Sequence, residues 1–466
     1  MTAGRGRAES IVDLVGETPA VPLRRVVAGL PYTVLAKLEF LNPGGSVKDR
    51  IGLTMIADAE RDGRLAPGGT IVEATSGNTG VGLALVAAVR GYRLIFVIPD
   101  KMSTEKIRLL RAYGARVVVT PSGVPPDHPM SHYSVARRLA AETPGAYYPN
   151  QYANPGNAEA HYRTTGPEIA RQLGDGPGAV VGTIGTGGTM SGVGRYLKER
   201  RPGVRVVAVD PVGSVLASAF RTGSPGTATP YLVEGIGEDM VPKSIDFRAL
   251  DEVVQVGDRE SFLMARRLAR EEGLFAGGSS GAAVAGALKW LADRPLPEGA
   301  TILVILPDSG DRYLSKFYSD DWMREKGFLD AGATAGELLR RKAATPALVA
   351  AEPTTVVREA IARLHAHGVS QLPVLRGSEN LGTVSEEEVL RRSLDDATVL
   401  DRAVVHVLGP PLPEVGSDAA LGELLRALRE QRAVLVRDRG SGAPVGVLTR
   451  HDVVGILSEE GAHRAV

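Results

Sequence analysis

The sequence predicts an α/β fold followed by a pair of small repeated modules, and three observations carry that reading. Short apolar runs alternate with helical patterns through the first two thirds of the chain. The runs are continuous in Val, Ile and Leu, as strands buried on both faces are. Beyond residue 330 a helix–strand–strand–helix pattern occurs twice. The alternation argues a largely parallel sheet, expected here to be doubly wound. At roughly 150 residues per domain, 466 residues make two or three domains, so the length agrees.

The elements follow in order. Tyr32–Glu39 reads as a strand, Thr70–Glu73 as a second, and Gly80–Val89 as a helix of small residues. Arg93–Ile98 is a strand ending at Pro99, Ser103–Tyr113 an amphipathic helix, and Arg116–Val119 a strand. Ala179–Ile184, Arg205–Val209 and Thr301–Leu306 complete the set, with helices between them. Sheets of this kind bind ligands at the carboxyl ends of their strands. Chemistry is therefore expected in the turns that follow.

Composition excludes several classes. Lys+Arg and Asp+Glu are both 54, so there is no global basic field to hold a phosphate backbone, and nucleic acid is not an expected partner. The absence of cysteine removes disulfides, thiolate metal sites and a Cys nucleophile, and leaves the redox compartment unreadable. The N-terminus MTAGRGRAES has no apolar core behind its basic residues, and no run of about 20 apolar residues occurs. A soluble, cytoplasmic protein without a membrane partner is the expectation.

Four turns carry unusual residues. In PGGSVKDR (Pro43–Arg50), Ser46 could cap a helix that Lys48 enters in its first turn, against the dipole preference for acids there. Such a lysine is either a surface residue or a nucleophile suited to a Schiff base. In EATSGNTG (Glu73–Gly80), Thr75, Ser76, Asn78 and Thr79 stand at a helix start that suits a carboxylate or phosphate, or simply cap it. GTGGT (Gly185–Thr189), between a strand and a helix, is a phosphate cradle of backbone amides or only a tight turn; no Walker lysine follows it. In LPDS (Leu306–Ser309), Ser309 either meets a ring nitrogen or caps the next helix.

Together, and in this order, these segments resemble the fold-type-II pyridoxal-phosphate family of cysteine synthases and cystathionine β-synthases. The resemblance covers nearly all of residues 8–325. It extends to QYANPGNAEAHYRTTGPEI (Gln151–Ile169), EGIGEDM (Glu234–Met240), GGSSG (Gly277–Gly281) and KFYSDDWM (Lys316–Met323), the tail past GGSSG and the KFYSDDWM segment favouring the cystathionine β-synthase branch. It implies pyridoxal 5'-phosphate as cofactor, with Lys48 forming the Schiff base and moving the substrate's α-proton. Asn78 would meet the cofactor's phenolate oxygen, Gly185, Thr186, Gly187, Gly188 and Thr189 its phosphate, and Ser309 its pyridine nitrogen. A neutral hydroxyl there makes a weaker electron sink, suited to β-elimination followed by β-addition. Thr75, Ser76, Thr79, Gln151 and Tyr162 would take the substrate, and Glu238 and Asp239 would border the acceptor pocket. The family's haem sites need an N-terminal Cys and His; with no Cys and a first His at His128, no haem is expected.

After the small-residue segment Asp330–Gly336, Leu372–Leu375 aligns with Ala433–Val436 and Leu381–Leu390 with Val445–Val454. The repeat resembles tandem CBS regulatory modules, near 335–394 and 395–460, expected to stack because neither buries a full core alone. The module signature Thr/Ser-x-x-Asp, whose Asp holds ribose hydroxyls, is kept as Thr449 and Asp452; the first repeat has Ser385 and Glu388. The resemblance thus implies an adenosyl ligand, S-adenosylmethionine ahead of AMP or ATP, chiefly at the second repeat; purely structural modules are the alternative.

The reading is a catalytic region over 1–330, its smaller mobile part near 45–145, and regulatory modules over 331–466, in a homodimer or homotetramer. The expected reaction condenses serine with homocysteine to cystathionine and water. The runner-up is cysteine synthesis from O-acetylserine or serine and sulfide. An adenosyl sensor with a decayed enzyme domain is a third reading, opposed by the intact Lys48, Asn78 and Ser309.

Overall fold

The computed structural model describes residues 7–174, 178–329, 334–342 and 348–454. The first six residues, most of the small-residue segment at 330–336 and the end of the second repeat lie outside the described residues. The chain divides into two units, Met1–Trp322 and Met323–Val466. No helix among the described residues is long and apolar enough to cross a membrane.

Among the described residues the first unit holds ten strands: β1 (Ala20–Pro22), β2 (Thr33–Leu38), β3 (Thr70–Ala74), β4 (Arg93–Pro99), β5 (Arg116–Thr120), β6 (Ala146–Tyr147), β7 (Gly178–Thr183), β8 (Arg205–Pro211), β9 (Glu252–Val256) and β10 (Thr301–Leu306). The anticipated strands are all present, with ends shifted by a residue or two. They do not form one doubly wound sheet. Six make a sheet of order β1-β2-β10-β7-β8-β9, antiparallel only at β1–β2; four make a second, all-parallel sheet of order β5-β4-β3-β6. The smaller sheet and its helices hold most of the segment near 45–145. Every residue of β3 is buried, and so is nearly every residue of β7, β8 and β10, as continuous apolar runs require.

Two contacts place the site. The helices Lys48–Arg61 and Asn78–Arg90 touch at Gly52 and Gly82, where a Cβ on Gly82 would come within 2.5 Å of the Lys48 carbonyl oxygen. The glycines thus bring the two helix starts side by side. Behind Lys48, Arg50 bridges Glu39 and Glu168, each at 2.7 Å, and Lys37 joins Glu168 at 2.8 Å. Burial alone would raise the Glu39 carboxyl's pKa, but the Arg50 guanidinium and then Lys37 pull it down to about 2.

In the second unit, β11 (Gln371–Arg376) and β12 (Glu379–Ser385) pair antiparallel. β13 (Glu414–Gly416) runs parallel to β14 (Ala433–Arg437), which pairs antiparallel with β15 (Pro444–Thr449). Each repeat has its own apolar core. The helix Ala335–Arg341, which by sequence opens the first repeat, buries Ala335, Leu338 and Leu339 against Val415, Leu424 and Val434 of the second.

Candidate active site

Lys48 is the first residue of its helix, and the turn before it is stitched to the end of β10. The Val47 amide donates to the Pro307 carbonyl at 2.8 Å, and the Ser309 amide to the Gly45 carbonyl at 3.3 Å. Ser46 Oγ accepts from the Lys48 amide at 3.2 Å, although Val47 holds the N-cap position. Burial lowers the Lys48 pKa, and the nearby Asp308 and Glu238 carboxyls oppose that shift.

One cavity has Lys48 on its wall together with Gly185, Thr186, Gly187 and Thr189 from the turn after β7. Gly187 has a left-handed φ of 81°, and Gly188 opens the helix Gly188–Arg200. A Cβ on Gly187 would strike Ile245, and one on Gly188 would strike the Asn157 amide. Thr186 Oγ1 accepts from Asn157 Nδ2 at 3.0 Å, and Thr189 Oγ1 meets His161 Nε2 at 3.1 Å. The loop Glu234–Met240 closes the same wall, with the Gly237 amide donating to the Ile184 carbonyl at 2.7 Å.

The turn between β3 and the next helix is tied to the residues after β10 through Asn78 and Asp308. Thr75 Oγ1 accepts from the amides of Gly77 and Gly80, at 2.9 and 3.2 Å, so it braces the turn. Ser76 is half-buried at its tip. Thr79 Oγ1 donates to Gln151 Oε1 at 2.6 Å, and Gln151 Nε2 to the Ala74 carbonyl at 2.9 Å, so these two predicted residues meet. Asn78 donates from Nδ2 to Asp308 Oδ2 at 2.8 Å and accepts at Oδ1 from Arg312. Ser309 sits at the N-cap position of the turn Gly310–Tyr313 but makes no side-chain cap bond there.

Glu238 is half-buried and accepts from the Tyr133 hydroxyl at 3.1 Å, whereas Asp239 is exposed. Burial and then the Asp239 charge raise the Glu238 pKa to about 8. Tyr162 is a correction. It lies on a π-helical turn (His161–Thr165), its hydroxyl donates to Glu199 at 2.5 Å, and Arg195 covers its ring, so it points away from the cavity.

Sequence reasoning missed Asp308, Arg312, Tyr133 and Asn157. Asp308 and Arg312 flank the quoted Ser309, and Asn157 lies inside the quoted Gln151–Ile169 segment; nothing local marks them as partners of distant loops.

Residues 11–308 match the family of pyridoxal-phosphate-dependent enzymes, and residues 336–395 and 404–459 each match the CBS domain. The chain is 41% identical over 415 residues to cystathionine β-synthase of Dictyostelium discoideum, an alignment that covers 86% of this chain and 82% of that one. Against cystathionine β-synthase of Mus musculus it is 43% identical, over 91% of this chain and 77% of the relative. The chain belongs to the cystathionine β-synthase family. Among solved structures it is similar to an O-acetylserine-dependent cystathionine β-synthase from Helicobacter pylori, with a TM-score of 0.60 and 41% identity over 67% of this chain and 98% of that one. Enzymes of this family depend on pyridoxal phosphate, and the cavity fits that group. Its glycine turn has no room for side chains, which leaves backbone amides at a helix start for a phosphate. A lysine of depressed pKa stands on the same wall.

In the second unit, Asp452 Oδ2 accepts from the Thr449 amide at 2.8 Å, from Thr449 Oγ1 at 2.7 Å and from Lys342 Nζ at 3.0 Å. In the first repeat, Ser385 Oγ accepts from the Glu388 amide at 3.2 Å, but the Glu388 carboxylate turns to Arg391 and Arg392.

Proposed function

We propose that this enzyme replaces the β-hydroxyl of L-serine with the sulfur of L-homocysteine, releasing water and forming cystathionine. The observation that carries the reading is the single cavity walled by Lys48 and the Gly185–Thr189 turn. Pyridoxal phosphate supplies the electron sink for the α-carbon. Lys48 Nζ is the covalent anchor and takes the substrate's α-proton; burial lowers its pKa and so favours the neutral amine that such a role needs. Gly185, Thr186, Gly187, Gly188 and Thr189 would hold the phosphate, Asn78 would donate to the phenolate oxygen, and the Ser309 hydroxyl, which makes no cap bond, would meet the ring nitrogen. Ser76, Thr79 and Gln151 receive the serine carboxylate, with Thr75 bracing their turn.

Glu238 separates the acceptors. Ionised, it offers a counter-charge to the ammonium of homocysteine, a group that sulfide lacks. A second reading concerns the donor, because the Helicobacter pylori relative is named for O-acetylserine. A product assay with serine or O-acetylserine, against homocysteine or sulfide, tests both choices. Cystathionine from serine is the expected product; cysteine alone would replace the reading. Lys48→Ala should lose turnover and the cofactor's visible absorption while keeping wild-type circular dichroism, and turnover near wild type would remove Lys48 from its role.

The regulatory reading is an adenosyl ligand at Asp452, with S-adenosylmethionine ahead of AMP or ATP because its use yields homocysteine. Supporting it, one oxygen of Asp452 is held by three donors while the other has no partner among the described residues.

A further inference from the structure

Asp308 is fully buried at the end of β10, between the cavity wall and Ser309. It accepts from three separate stretches of the chain or crowds against them. Asn78 Nδ2 donates to its Oδ2 at 2.8 Å, the Tyr313 hydroxyl donates to the same oxygen at 2.5 Å, and Ser279 Oγ donates to Oδ1 at 3.3 Å. Gly277 has no side chain where a Cβ would meet Oδ1. None of these partners belongs to the cradle for the phosphate.

The consequence falls on Asn78. A side-chain amide has two N–H donors on one atom and acceptor lone pairs on the other, and its orientation is set by its neighbours. Here a carboxylate that only accepts faces Nδ2, and a guanidinium that only donates faces Oδ1. The reverse orientation would set Oδ1 against Asp308 and Nδ2 against Arg312, two repulsive contacts at once. One N–H of Asn78 is used on Asp308, and the other has no partner among the described residues. We infer that Asp308, with Arg312, is a positioning residue that locks the Asn78 amide so that it presents an N–H, never its oxygen, to the cofactor's phenolate oxygen. This rests on the proposal that Asn78 meets that oxygen.

The lock has a spectroscopic consequence. An N–H donated to the phenolate favours the ionised oxygen and therefore the cofactor's visible band over its near-ultraviolet band. In the loaded full-length enzyme, Asp308→Asn frees the Asn78 amide to turn. The visible-to-near-ultraviolet ratio should then fall by roughly tenfold or more, the factor that a hydrogen bond to a charged group carries. Asn78→Ala should give the same change, and the double variant no more than either, because both remove one contact. Arg312→Gln releases the other end of the amide and should shift the ratio the same way; it decides the matter if Asp308→Asn does not fold by circular dichroism. A wild-type ratio in a folded Asp308→Asn or Arg312→Gln protein, beside a shifted Asn78→Ala, would overturn the lock. A wild-type ratio in Asn78→Ala would instead remove Asn78 from the phenolate and the lock with it.

Discussion

At the scale of single residues, the catalytic unit separates groups that do chemistry from groups that hold them. Burial lowers the pKa of Lys48, the proposed Schiff-base lysine, and Thr75 and Asn157 spend their polar atoms on the turns around it. Glu238 and Asp239, adjacent in sequence, differ in the same way. Glu238 faces Tyr133 and lies near Lys48, while Asp239 is exposed and acts on Glu238 as a like charge that raises its pKa. Three outcomes follow. Glu238→Gln should raise the KM for homocysteine, by the equivalent of about 1.5–3 kcal/mol, while sparing the half-reaction with serine. Asp239→Asn should leave that KM equal or lower at neutral pH, because removing the like charge lets Glu238 ionise more readily. In wild type the KM should fall as pH rises through about 8, where Glu238 ionises, and that fall should be absent from Glu238→Gln. Steady-state kinetics over pH checks all three; an unchanged KM in Glu238→Gln would place the ammonium elsewhere.

At the scale of elements, two buried groups set how strands and helices meet. The cluster of Lys37 on β2, Glu39 after it, Arg50 and Glu168 joins a strand of the larger sheet to the helix that starts at Lys48. Removing one partner of a buried ion cluster strands the other charges. Glu168→Gln should therefore destabilise the catalytic unit by about 3–5 kcal/mol, read as a lower urea midpoint. Glu73 is the second case. It is buried on β3, accepts from the Gln151 amide at 3.4 Å, and its Oε2 has no partner among the described residues. Burial raises its pKa from 4.5 to about 8. The fold thus favours the protonated acid, and the stability this gives is full below about 4.5 and lost as pH climbs through about 8. Glu73→Gln should flatten that decline in thermal midpoint across the same window. An undiminished decline would assign it to another group.

At the scale of the whole molecule, the unit of two CBS domains shows an asymmetry that its repeats only hint at. Both signatures begin with a hydroxyl residue at a helix start, yet only Asp452 returns its carboxylate to that residue. Burial would raise the Asp452 pKa, but its bonds from Thr449 and Lys342 lower it, so it stays an ionised acceptor. Calorimetry on the full chain with S-adenosylmethionine, AMP and ATP should find one compound that binds wild type and binds Asp452→Ala far more weakly. Stabilisation by that compound should follow its concentration as RT ln(1 + [L]/Kd). Equal binding by Asp452→Ala would move the site, and no binding by wild type would make the modules structural.

The sequence alone determined the α/β class, the strands to within a residue or two, the paired modules and the order of four reactive turns. These are legible because strand and helix periodicities and glycine-rich turns are properties of neighbouring residues. Tertiary structure alone decided how ten strands divide between two sheets, since pairing depends on partners far apart in the chain. It also decided that the helix at 335–341 joins the core of the second repeat, because an apolar face does not encode which apolar face it meets. Tyr162 was misplaced for a related reason: its partners Glu199 and Arg195 lie more than thirty residues on, and only folding brings them to its hydroxyl and ring. Asp308 stayed hidden because its value lies in donors from residues 78, 279 and 313, which only folding assembles around one carboxylate.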